Sequence, residues 1–188
     1  MPKLKLYLAG PDIFRPDAVT YAEKQREICQ RYGFVPLHPM DNNVGHKDHS
    51  RRTAREIFRA DLRQIDEADI TVANCNYFRG GCIDDGTAVE LGYTFAQGKI
   101  AYGYIDSLSP ANQQIPTHYP CHSINGQLQD RDGYVLVDDF GTAVNLMVHE
   151  LIEESGGRLV QGDFEDAIKQ LREDLEAGGL NTKNSNCV

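Results

Sequence analysis

Short apolar runs alternate with amphipathic stretches along most of this chain, and a strand–helix order of that kind admits few folds. Lys3 to Ala9 alternates and then turns apolar before Gly10-Pro11, as a parallel strand entering a functional loop does. The loop Pro11 to Arg15 follows. Residues 16 to 32 carry a helical pattern with proline in the first turn and Gly33 just past the end. Phe34-Val35-Pro36-Leu37 is a short second strand. After a polar loop from His38 to Ser50, residues 52 to 67 form an amphipathic helix, and Asp69 to Ala73 give a third strand. A loop at 74 to 86, a helix from Gly86 to Gly98 and an aromatic, β-branched strand at Ile100 to Ile105 complete the regular part.

The pattern predicts an α/β fold, a doubly wound (flavodoxin-like or Rossmann-like), mainly parallel sheet of about five strands with helices on both faces. Residues 1–177 are expected to make one domain, and 178–188 a polar, flexible tail. Asp106 to Tyr134, rich in Pro, Asn, Gln and Gly and without period, reads as a long irregular excursion. Val135-Leu136-Val137 reads as the fifth strand, Thr142 to Glu154 as a helix, and Asp163 to Glu176 as a last charged amphipathic helix whose apolar stripe is core or an oligomer contact.

Charge removes several classes of function. A formal net charge of −9 and no Lys/Arg cluster on a helix face argue against a nucleic acid polymer as partner. No apolar run approaches the roughly 20 residues that cross a bilayer, and the first residues show no basic-then-apolar leader, so no membrane association and a cytoplasmic location are expected. Five cysteines with no C-x-x-C pair suit a reducing compartment and suggest neither a disulfide framework nor a zinc ribbon.

The chemistry-bearing candidate is Asp84-Asp85-Gly86-Thr87-Ala88-Val89-Glu90, which sets Glu90 one turn inside a helix whose approach loop already holds two acids. Thr87 to Glu90 also fits a capping box, in which Glu90 would only close the helix start. In doubly wound sheets ligands bind outside the carboxyl ends of the strands, where Tyr7 and Glu90 can converge. Asp61 lies on the helix 52 to 67 beside an apolar position, with solvation or an ion pair to Arg55 as its plain alternative. The glycines form neither G-x-G-x-x-G nor a P-loop, so no dinucleotide or triphosphate cofactor is implied. His38, His46 and His49 with Asp41 and Asp48 match no metal signature, and no metal is expected. Cys75 and Cys82 flank a loop but lack a histidine at a telling spacing.

Taken in succession, Tyr7-Leu8-Ala9-Gly10-Pro11, Asp61-Leu62-Arg63-Gln64-Ile65 through Ile70, Asp84 to Tyr93, Gln97-Gly98-Lys99 and Val144-Asn145-Leu146-Met147 resemble the nucleoside 2-deoxyribosyltransferase family. The resemblance runs from residue 4 to about 154. It implies an enzyme without cofactor that moves a 2-deoxyribosyl group between nucleobases, with 2′-deoxynucleosides and free bases as substrates. Glu90 would attack C1′, Tyr7 would orient that carboxylate, and Asp61 would protonate or hold the departing base. Asp84, or Asp85 if the loop register differs, would grip the sugar 5′-hydroxyl, and Gly10 and Pro11 would belong to the substrate-binding loop. Asn145 would reach the same hydroxyl from a neighbouring subunit, which makes a homo-oligomer part of the site.

Two other functions fit the same residues. One is a hydrolase that frees the base of a deoxynucleoside or its 5′-monophosphate, though Asp84, Asp85 and Asn145 would repel or fail to hold a phosphate. The other is a non-catalytic nucleoside-binding module.

Overall fold

The computed structural model describes residues 3–42, 44, 48–135 and 140–180. Five parallel strands, β1 (Lys5–Ala9), β2 (Val35–Leu37), β3 (Ile70–Asn74), β4 (Ile100–Ile105) and β7 (Leu159–Gln161), lie in the order β2-β1-β3-β4-β7. Tyr7 pairs with Leu37 on one side and Thr71 on the other, and Ala73 with Gly103. The chain leaves β1 in one direction to reach β2 and returns past it to β3. Their carboxyl ends therefore flank a switch point, the place where such sheets form a crevice.

The central strands β1, β3 and β4 are short and buried on both faces, which is why they read as nearly continuous apolar runs. Their period of two sorts side chains between two cores. Leu6, Leu8, Ile70, Val72, Tyr102 and Tyr104 pack with α1 (Ala18–Arg31) and α6 (Phe164–Glu176). Tyr7, Ala9, Ala73, Ala101 and Ile105 pack on the other face, with α2 (Arg51–Glu67), α3 (Asp85–Ala96) and α5 (Leu146–Glu154). This parity sends Tyr7 toward α3. At Gly103, on β4, an added Cβ would stand 2.7 Å from Leu159 and 2.9 Å from the Cys75 sulfur, so glycine lets β7 and α5 seat closely.

Several elements differ from the sequence reading. The fifth strand is β7, a three-residue run with no periodicity of its own, paired parallel to β4. Val135 forms only an isolated bridge to Gln129, and Leu136 and Val137 lie outside the described residues. The excursion at 106–134 is not structureless: it holds α4 (Ala111–His118) and a hairpin of β5 (His122–Ile124) and β6 (Gln127–Gln129). Burial of Ala111 and Ile115 and a backbone bond from Ala111 to Thr142 dock α4 despite Pro116 within it. The helix expected from Thr142 starts at Leu146, because Asn145 caps it while Ala143 and Val144 turn into the core. Of the tail, residues 181–188 lie outside the described residues. Among the described residues no helix is long and apolar enough to cross a membrane.

Candidate active site

Helix α3 starts at Asp84, whose carboxylate accepts from the Thr87 amide at 3.0 Å and the Thr87 hydroxyl at 3.1 Å. This N-cap replaces the Thr87–Glu90 capping box considered from sequence and leaves Glu90 free of the helix end. Thr87, Leu91 and Thr94 are the buried stripe. Thr94 ties the helix down by donating to the Glu90 carbonyl at 2.9 Å and by a hydroxyl pair with Thr71 at 2.7 Å. Glu90 then meets the end of β1, where the fully buried Tyr7 donates its hydroxyl to Glu90 Oε1 at 2.5 Å. Among the described residues Oε2 has no hydrogen-bond partner, so it is the oxygen left for a ligand.

Burial pushes the Glu90 carboxyl up from its ordinary 4.5 to about 7. The Tyr7 hydrogen bond opposes that rise, while the negative charges of Asp61 and Asp84 add to it. Tyr7 is driven far above the ordinary tyrosine value by burial and then by Glu90 and Asp61, so it acts only as a donor. Glu90, Tyr7, Asp61 and Asp84 thus share one electrostatic site. Asp61 reaches it from α2, which is capped by Ser50 at the Thr53 amide. Asn42 donates its amide to Asp61 Oδ1 at 3.1 Å.

Gly10 and Pro11 follow directly on the carboxyl end of β1. Gly10 has φ 155°, and an added Cβ would lie 2.8 Å from the Asn74 Cβ, so both conformation and contact require glycine. Next to it the buried Asp12 carboxylate accepts from Asn74 at 3.1 Å and from the Tyr104 hydroxyl at 3.1 Å, joining the ends of β1, β3 and β4. Burial raises the Asp12 carboxyl, against these hydrogen bonds.

Asp85 and Asn145 stand elsewhere. Asp85 is exposed and bonds its own helix at Gly86. With Ala88, Gly92, Asn145 and Met147 it lines a separate cavity of about 670 Å³ between α3 and α5. Glu90 is two residues from both Ala88 and Gly92, hence on the opposite side of α3 at about 100° per residue. Within one chain, then, Asn145 does not join Glu90.

Sequence reasoning missed Asn42, Asp12, Asn74 and Tyr104. An acid placed directly after a strand's carboxyl end was the available signal for Asp12, whereas nothing in the polar loop singled out Asn42. His38 is buried with both ring nitrogens engaged: Nδ1 accepts from the Met40 amide at 3.1 Å and Nε2 faces Gln25 at 3.2 Å. Burial, and next the Arg26 charge, pushes it down to about 4. It is a structural residue rather than a metal ligand, and His46 lies outside the described residues. Burial lifts the Cys75 thiol to about 12, which keeps it from serving as a thiolate nucleophile.

Residues 6–147 match the model of the nucleoside 2-deoxyribosyltransferase family, and the chain belongs to that family. It is 29% identical over 185 residues to an uncharacterized protein of Schizosaccharomyces pombe, covering 88% of this chain and 87% of that one. Among solved structures it is similar to a 2-desoxiribosyltransferase from Leishmania mexicana, with a TM-score of 0.70 and 29% identity over 92% of this chain and 98% of the other. A conserved protein from Enterococcus faecalis V583 shares the fold, with a TM-score of 0.61 and 22% identity over 90% and 99% of the two chains. The family supports an enzyme of deoxyribosyltransferase type, with nucleosides and nucleobases as substrates.

Proposed function

We propose that this protein exchanges the bases of 2′-deoxynucleosides by double displacement through a covalent deoxyribosyl–Glu90 intermediate, in one domain spanning residues 1–177. The observation that carries the reading is a half-buried carboxylate with one oxygen held by Tyr7 at 2.5 Å and the other open at a switch-point crevice.

Departure of a base builds positive charge at C1′, which an adjacent carboxylate both stabilises and traps. In the first step Oε2 of ionised Glu90 bonds to C1′ as the C1′–N bond breaks, and Asp61 gives a proton to the leaving base. In the second, a ring nitrogen of the incoming base bonds to C1′, Glu90 departs as carboxylate, and the base's proton returns to Asp61. Two inversions give net retention. Asp84, whose charge acts on Glu90, holds the sugar 5′-hydroxyl, and Gly10 and Pro11 belong to the substrate-binding loop. Asn145 serves this site from a neighbouring copy of the chain in a homo-oligomer, and Asp85, on the far side of α3, is not needed in the sugar's grip.

The test is isotope exchange: labelled free base incubated with the matching unlabelled 2′-deoxynucleoside, base by base, with intact-mass detection of a deoxyribosyl adduct. Label entering the nucleoside, lost in Glu90→Gln, is the expected result. Free deoxyribose without exchange would make the protein a hydrolase. Saturable binding with neither product would reduce it to a binding module.

A further inference from the structure

The turn Pro39–Asp41 is fastened to its surroundings with unusual completeness. His38 caps it through the Met40 amide and contacts Gln25, and Asp41 accepts from the His38 amide at 3.3 Å and from Arg26 at 2.5 Å. Two amides join the turn to α2: Gln64 donates to the His38 carbonyl at 3.1 Å, and Asn42 donates to Asp61 at 3.1 Å. Asp61 and Gln64, three apart, share one face of α2. In both amides the nitrogen is used and the oxygen is not. Asn42 Oδ1 and Gln64 Oε1 are buried with no hydrogen-bond partner among the described residues. A buried acceptor without a donor costs about 1–3 kcal/mol, so two along the seam that holds Asp61 leave room for donors beyond those the described residues supply.

We infer that the seam of Asn42, Asp61 and Gln64 reads the exocyclic amino group of the nucleobase, making 6-aminopurines and 4-aminopyrimidines the preferred substrates over their oxo counterparts. This rests on the reading that the crevice takes a nucleobase. Adenine and cytosine each set an amino donor beside a ring nitrogen acceptor. Protonated Asp61 donates to that ring nitrogen while an amide oxygen of the seam accepts from the amino group. Admitting the base edge exchanges the Asn42–Asp61 and Gln64–His38 bonds that close the seam for bonds to the base, while the two unpartnered amide oxygens lose none. Hypoxanthine, guanine, uracil and thymine instead present a carbonyl at the corresponding position, oxygen against oxygen. Sites that hydrogen-bond a substrate N–H discriminate strongly against analogues lacking it.

Equilibrium binding of the free bases tests this without requiring turnover. The full chain should bind adenine over hypoxanthine, or cytosine over uracil, by at least about tenfold. In Asn42→Leu that ratio should fall at least about fivefold through loss of the amino base alone, and Gln64→Leu, on a partly exposed helix position, should act the same way. A ratio below tenfold in both pairs, a ratio unchanged in both variants, or no base binding at millimolar concentration would overturn the inference and leave the two oxygens to bound water. Failure of the covalent mechanism reads out separately, as absence of the deoxyribosyl adduct on a protein that still prefers amino bases.

Discussion

Glu90 and Tyr7 are 83 positions apart in the chain and 2.5 Å apart in the fold. Because the tyrosine's hydrogen bond holds the Glu90 carboxyl lower than burial alone would leave it, Tyr7→Phe should move the acidic limb of kcat/KM from near 7 to higher pH. Activity at pH 6 would fall by more than activity at pH 8.5, and a uniform loss across the profile would contradict the assignment. The same shift sets a stability signature. A carboxyl raised from 4.5 to about 7 binds its proton more tightly in the folded state, so stability falls as pH rises through that window and is flat above it. His38, pushed from 6.5 down to about 4, works oppositely and takes stability away as pH falls through 6.5 toward 4. The two slopes offset each other in the wild type. Glu90→Gln should therefore be more stable than the wild type by about 1–3 kcal/mol at pH 8 and gain little at pH 4.5, exposing the His38 slope, as urea midpoints would show. At this scale sequence could offer Glu90, Tyr7 and Asp61 because each sits at a recognisable place in a motif. Asn42 has its meaning only from Asp61, 19 residues on, and no local pattern records that contact.

At the scale of elements, the loop after β1 concentrates the constraints. Gly10→Ala would force a Cβ to 2.8 Å from Asn74 at a backbone conformation that side chains avoid, so about 1–3 kcal/mol of stability should be lost. The Asp12–Asn74–Tyr104 knot would shift with it, lowering kcat/KM while leaving the pH of the Glu90 limb in place. Thermal unfolding and a pH profile of the variant check both parts. The long elements here were legible because a helix of 17 residues such as α2 repeats its pattern, and buried parallel strands are unmistakably apolar. Elements fixed only by what they dock against were not. β7 is three residues beside β4, and α4 carries a proline that local rules would place outside a helix. The start of α5 was placed early since Ala143 and Val144 look helical but are used as core.

On the scale of the whole molecule, α3 separates two surfaces that the family resemblance assigns to one site. Glu90 faces β1, whereas Asp85, Ala88 and Gly92 face the cavity where Asn145 caps α5, its Oδ1 accepting from the Met147 amide at 2.9 Å. Val89 and Met147 nearby are 62% and 70% exposed, apolar surface that a second copy would cover. If a neighbour's Asn145 completes each Glu90 site, two inactive variants should rescue one another. Glu90→Ala and Asn145→Ala, unfolded together and refolded as a mixture, would form random pairs of which half are mixed. Each mixed pair holds one site with both defects and one with neither, so about a quarter of wild-type activity should return in a dimer. The separate variants, refolded alone and then combined without subunit exchange, would stay inactive. A mixture that remains as inactive as its parts would place Asn145 outside the active site, and Asp84 alone would then have to hold the sugar.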